Sequence, residues 1–284
     1  MKKYLLKNVE NGYVPSPEDT RDYTIKNVAL EETDEIPETY IKKGMKVLSQ
    51  GNVGSCVAHA CATAMGYGEL AGGFETAHDF SRGYIYGNRG PADSQSEGMY
   101  IRQALKQLNK CGDVEYIDFP LNAKYPVVKA EIEKNKDALA EKAAQFKIVN
   151  YFRCYSDEEV KKTLLAQGAV VIGIPVYSSF KAECPLPDAD DKRTGGHAMV
   201  VVGWDETGWI IQNSWSSSWG KQGFMHLPYD YPIDELWVIT VNKNVPQPEQ
   251  KSATDRIVAF LAFYIKYLLR EIKRFFLQKI SKNS

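Results

Sequence analysis

A thiol, an imidazole and a carboxamide, far apart in the chain, are the groups best suited to do chemistry. Cys56 follows Gln50-Gly51-Asn52-Val53-Gly54-Ser55 and opens an alanine-rich run to Met65 that reads as a helix. The first turn of a helix carries unpaired N–H groups and partial positive charge, and both favour a thiolate over a thiol. The Cys56 N–H and the Gln50 side-chain amide can each donate to an oxyanion. A buried cysteine at a tight turn would carry the same local signature, so this stretch alone leaves both readings open.

Two downstream stretches add the other groups. Gly195-Gly196-His197-Ala198-Met199-Val200 sets one histidine at the head of an apolar run. Trp209-Ile210-Ile211-Gln212-Asn213-Ser214-Trp215 supplies an asparagine, followed by Ser218-Trp219-Gly220. Cys, His and Asn in that order, each within its own pattern, resemble the papain-like cysteine peptidases. That family places its His and Asn roughly 130–150 residues after its Cys. Here the separations are 141 and 157, the first inside that window and the second slightly beyond it.

The resemblance implies a set of roles. Cys56 would be the nucleophile, His197 its proton carrier and imidazolium partner, and Asn213 the acceptor that orients the ring. Gln50 and the Cys56 N–H would hold the oxyanion. Trp215 would cover the His–Asn contact, and Gly98, Gly196 and Trp215 would be substrate contacts. The substrate would be a peptide or protein, and the reaction would need no cofactor. Three departures stand out: Val57 replaces a common aromatic, Val53 replaces a cysteine often used in a disulfide, and Met99 replaces a usual glycine. The first and third alter packing and subsite shape, the second removes a bridge, and none removes a catalytic atom.

The elements that must position these groups fall into two halves. Helices are expected over residues 55–70, within Phe80–Tyr86, over 97–108 and over a solvent-exposed 127–146. Ser156-Asp157-Glu158-Glu159 is a capping box before a helix over 157–167 that Gly168 ends. Strands are expected over 148–153, 169–176, 197–204, 208–213 and 223–227. A helical first half and a β-rich second half make an α+β fold. The resemblance implies the papain-like two-lobed form, a helical N-terminal lobe and an antiparallel β-rich C-terminal lobe around a cleft. His59, three residues after Cys56, lies further along the helix and reads as packed rather than catalytic.

Composition limits the remainder. A chain of 284 residues with 44% apolar and 25% charged residues is ordinary globular material, and a net charge of −1 gives no reason to expect nucleic acid. Cysteines at 56, 61, 111, 154 and 184 form no metal-type cluster, and their odd number favours a reducing compartment. The start, Met-Lys-Lys-Tyr-Leu-Leu-Lys, is no signal peptide, so the expected location is cytoplasmic. Residues 1–35 form a proline-containing leader, and residues 13–24 are expected to cross or border the cleft and restrain activity. An extended strap on the outer surface is the alternative. Residues 36–244 form the peptidase-like domain, 245–253 a linker, and 254–284 a basic amphipathic helix. Over 254–280 that helix can meet a membrane surface or a partner protein, or dock on the domain. The leading reading is a cysteine endopeptidase. A catalytically silent peptide-binding module tethered by the tail, or another thiol chemistry on the same frame, are the alternatives.

Overall fold

The computed structural model describes residues 12–24, 35–90, 93, 97–183, 186–245 and 253–281. Its central element is helix α1, Cys56–Ala71, of which fourteen of sixteen residues are buried. The helix is enclosed on all sides, as a run rich in small and apolar residues permits. Ala58, Ala60, Ala62 and Ala64 let neighbours come close. Gly66 and Gly68 do the same, since a Cβ on either would press on Met45 or Val241.

On one side of α1 lie the other helices of the first lobe. These are α2 (Arg82–Gly87), α3 (Ile101–Lys110), α4 (Tyr125–Lys134) and α5 (Lys136–Ala143). The single exposed helix expected over 127–146 is in fact α4 and α5. Asn135 separates them: its Nδ2 donates to the Glu131 carbonyl at 3.0 Å and to Glu131 Oε1 at 3.1 Å, a local bond that competes with the helical ladder. Nor is this segment wholly exposed, because Val128, Ile132, Leu139 and Ala143 face the core.

On the other side of α1 stands an antiparallel sheet in the order β4 (Ile148–Cys154), β9 (Glu235–Val241), β5 (Val170–Tyr177), β6 (Arg193–Trp204), β7 (Gly208–Gln212) and β8 (Phe224–Pro228). The short β2 (Tyr40–Ile41) adds to β6. One face of the sheet joins the core around α1, and a second core of Phe152, Leu164, Ile172, Met199 and Trp204 fills the other. Strands covered on both faces read as continuous apolar runs, which explains Val170–Val176. Strand β9 lies beyond the strands expected from the sequence, although it sits between β4 and β5. A charged residue, Glu235, begins it, and only tertiary contacts make that position an interior one. The fold is thus α+β, with helices and sheet segregated in the chain and meeting along α1.

Helix α6, Asp157–Gln167, matches its expected limits. Ser156 Oγ accepts from the Glu159 N–H at 3.2 Å, and Glu159 Oε2 reaches back to the Tyr155 N–H at 2.7 Å. Gly168 closes the helix at φ +81°, where a Cβ would stand 2.6 Å from the Tyr67 carbonyl oxygen of α1. Gly168→Ala therefore combines a left-handed backbone with a clash against an immobile helix. We expect it to lower the unfolding free energy by about 2 kcal/mol, seen as an earlier midpoint in urea denaturation.

Candidate active site

Strand β6 runs from exposed Arg193 into the interior, and His197 is where its side chains become fully buried. It pairs with Ile174 of β5. Asn213 follows β7 and is held by its own N–H to the Gly223 carbonyl at 2.9 Å. His197 Nε2 lies 2.8 Å from Asn213 Oδ1, which also accepts from the Ser214 N–H at 2.7 Å. A carboxamide oxygen only accepts, so the proton is assigned to Nε2, and Nδ1 is left as the free ring nitrogen. Trp215 stacks on the imidazole at 4.4 Å and 22°. Trp219 and Phe180 meet Trp215 edge-on, so an aromatic wall backs the contact.

The loop before α1 is stitched to this segment. The Gln50 N–H donates to the Ser214 carbonyl at 2.9 Å, and the Ser214 hydroxyl donates to Gln50 Oε1 at 2.7 Å. Gln50 Nε2 donates to the Val53 carbonyl at 2.9 Å, which fixes the amide plane and leaves its second N–H. Cys56 starts α1 with its sulfur near the N–H groups of Ala198, the residue after His197, and of Val57. The structure therefore brings Cys56, Gln50, His197, Asn213 and Trp215 to one place where α1 meets β6. His59 is elsewhere: its Nδ1 lies 2.9 Å from the Ser55 carbonyl, one turn back along its own helix. Burial pushes it down to about 3.

The leader occupies the space in front of Cys56. Strand β1, Tyr13–Val14, pairs in parallel with β3, Met99–Tyr100, and the Met99 N–H donates to the Gly12 carbonyl at 3.2 Å. A Cβ on Gly12 would stand 2.8 Å from Cys56 Sγ, so only glycine passes there. The Tyr13 ring fills a slot between β5 and β6 that exists because Gly173 and Gly196 have no side chains. A Cβ on either would fall 2.3–2.6 Å from the nearest ring atom. Beyond the ring, Glu235 Oε1 accepts from the Ser16 N–H and hydroxyl, both at 3.1 Å, and Oε2 accepts from Trp237 Nε1 at 2.7 Å. Asp22 ends the crossing in a buried ion pair with Arg102.

Burial sets the electrostatics of the covered thiol. The helix terminus favours a thiolate, yet burial pushes Cys56 up to about 12, against the lowering influence of the N–H groups. Burial likewise pulls His197 down to about 4, although its Asn213 bond acts in the opposite direction. With the leader in place, both groups are neutral.

Of the substrate contacts expected from sequence, Gly196 lines the Tyr13 slot. Gly98 accepts from Arg89 Nη1 at 2.9 Å, and it is Met99 that offers its N–H to the strap. Gly12, Gly173 and Glu235 were not anticipated. A glycine inside a β-branched strand, as at 173, is a signal for close approach and could have been read. Among the described residues, no group of three or more His, Cys, Asp or Glu could hold a metal ion.

Comparison with known proteins places these features in a family. The model described as papain family cysteine protease matches residues 38–234. An uncharacterized peptidase C1-like protein of Acanthamoeba polyphaga mimivirus is 28% identical over 70% of this chain and 71% of its own length. A viral cathepsin of Adoxophyes honmai nucleopolyhedrovirus is 26% identical over 68% of this chain and 58% of its own. Among solved structures, xylellain, a cysteine protease from Xylella fastidiosa, is similar with a TM-score of 0.72 and 27% identity. That alignment covers 83% of this chain and 97% of that one. A procathepsin B from Trypanosoma congolense shares the fold at a TM-score of 0.65 and 17% identity, over 84% of this chain and 88% of that one.

A thiol held near 12 is only about one part in ten thousand thiolate at pH 8. In the full-length chain, iodoacetamide should modify exposed Cys111 long before Cys56 between pH 6 and 9, as read by peptide mapping. Equal rates at the two cysteines would contradict the closed site.

Proposed function

This chain belongs to the papain family of cysteine proteases, and on that premise we propose that it is a cysteine endopeptidase held latent by its own leader. The observation that carries the reading is the convergence of Cys56, His197, Asn213 and Gln50 at one junction, with Gly12 and Tyr13 laid across it.

When the strap leaves, water reaches the site and the burial that neutralises both groups is relieved. The N-terminus of α1 and the imidazole then favour the thiolate, with His197 taking the thiol proton on Nδ1. The sulfur attacks the peptide carbonyl carbon, and the C=O pair moves onto oxygen. The Cys56 N–H and the spare Gln50 N–H receive that oxyanion. Collapse breaks the C–N bond while His197 gives its proton to the leaving amine. A water that His197 deprotonates then attacks the thioester, releasing the acid and restoring the thiol. Asn213 is a positioning residue: by accepting from Nε2–H it keeps Nδ1 turned to the sulfur.

A peptide substrate takes the strap's place beside Met99, with one side chain in the slot bounded by Gly173 and Gly196. Release of Ser16 leaves Glu235 Oε1 without those two donors, so a side chain ending in a donor suits the slot. The strap itself pairs with β3 in the parallel sense.

The test is labelling with a biotinylated epoxysuccinyl inhibitor together with hydrolysis of a peptide library. Removing residues 1–30 should give labelling and hydrolysis that Cys56→Ala abolishes. An unlabelled, inactive trimmed chain would refute the peptidase. In the full-length chain, Gly12→Val cannot keep its approach to Cys56, and Tyr13→Ala empties a buried slot. Each should raise labelling at least tenfold, in line with the several kcal/mol that truncating a buried aromatic costs. Asn213→Ala in the trimmed chain should lower kcat at least tenfold with little change in KM, the pattern expected when the ring is no longer held.

A further inference from the structure

The C-terminal helix α7, Ala253–Ser281, is docked with the wrong face inward for a helix that only completes a globular core. Phe263 meets Phe119 edge-on at 6.1 Å, Arg270 pairs with buried Glu131, and Lys134 reaches Glu271 at 3.4 Å. At 100° per residue, Phe263, Tyr267 and Arg270 occupy one side of the cylinder. Val258, Leu261, Ile265, Leu268, Ile272 and Phe275 lie about 180° away, and all are half or more exposed. Ile257, Leu269 and Phe276 widen that face to an arc of about 120°. It runs about 28 Å along the axis. An apolar face of this size left in water marks an interaction surface.

We propose that this face lies in the surface of an anionic lipid bilayer, with the helix axis in the membrane plane and the peptidase domain held above it. Charge selects that occupant. Residues 253–284 carry seven basic and two acidic side chains, a formal charge of about +5 in a chain whose total is −1. Lys266 and Lys273 stand between the docked and the apolar faces, where an in-plane helix meets headgroups. The docked face is opposite the apolar one, so both can be engaged together. No helix among the described residues is long and apolar enough to cross a membrane, which leaves the in-plane orientation.

A second copy of the chain is the competing occupant, since Val258, Ile265 and Ile272 alternate with Leu261, Leu268 and Phe275 at the 3–4 spacing of a helical pair. The bilayer is favoured because two such tails bring like charges together. The arc is also wider than the seam a two-helix contact covers.

The test uses the full-length protein and sedimentation with phosphatidylcholine vesicles, with and without phosphatidylserine. We expect binding that requires phosphatidylserine, weakens at least tenfold between 0.1 and 1 M salt, and is lost in Leu261→Glu/Leu268→Glu. Lys266→Glu/Lys273→Glu should weaken it about tenfold or more. Both doubly substituted proteins keep the site residues and should retain the labelling behaviour of the parent. Failure to bind anionic vesicles, or binding unchanged in Leu261→Glu/Leu268→Glu, would overturn the proposal. So would light scattering that shows a dimer, abolished by that variant, in a chain that ignores vesicles.

Discussion

The rest of the molecule depends on one constraint: the N-terminus of a completely buried helix must abut the strand that carries His197. Helix α1 belongs to both halves of the chain, since α2 and α3 pack on one side of it and β6 and β9 on the other. A helix enclosed on all sides cannot slide or tilt without opening voids against several neighbours at once, and close-packed interiors resist that. Cys56 is therefore located to the accuracy of the core itself. The Gln50–Ser214 pair of hydrogen bonds then locks the loop before it to the segment carrying Asn213 and Trp215. Any displacement of one lobe against the other would be felt first at these bonds.

The leader exploits the same rigidity. It supplies little apolar mass of its own, and it fits the cleft through one glycine and one tyrosine. Gly12 passes the sulfur because it lacks a Cβ, and Tyr13 is held because two strands lack theirs. The electrostatic effect follows from exclusion of water rather than from any charge on the strap. A thiolate and an imidazolium both lose solvation under the cover, so the neutral pair is preferred. The structure is thus one in which the thiol and the imidazole are brought together and uncharged at once.

The tail obeys a different logic. Where the leader is bound through backbone pairing and one aromatic, α7 is bound through an edge-on aromatic contact and ion pairs at Glu131 and Glu271. Those contacts leave its aliphatic face outward. Phe263 adds to the edge of the domain core, and the attachment at Phe119, Glu131 and Lys134 on the helical lobe is separate from the residues gathered around Cys56.

Much of this was legible in the residues themselves. The capping box at Ser156, the stop at Gly168 and the helix at Cys56 are set by short-range bonds and local periodicity, and they fall within a residue of where the sequence puts them, whereas the strand that carries His197 begins four residues earlier than expected, at Arg193. The motifs around Cys56, His197 and Asn213 likewise identified the groups that meet, because the family pattern encodes that meeting. The break at Asn135 was missed because a helical lysine–glutamate–alanine pattern outweighs one side-chain bond. Strand β9 was missed because a glutamate at its start looks like a surface residue until Ser16 and Trp237 supply donors. That the leader would run over Cys56 rather than along the outside was one of two alternatives in the sequence, and the glycines at 12, 173 and 196 decide it only once they are brought together. Amphipathicity established that α7 has two faces. Which face would dock depended on where Phe119 and Glu131 stand in the folded lobe, information that no local pattern in residues 253–281 contains.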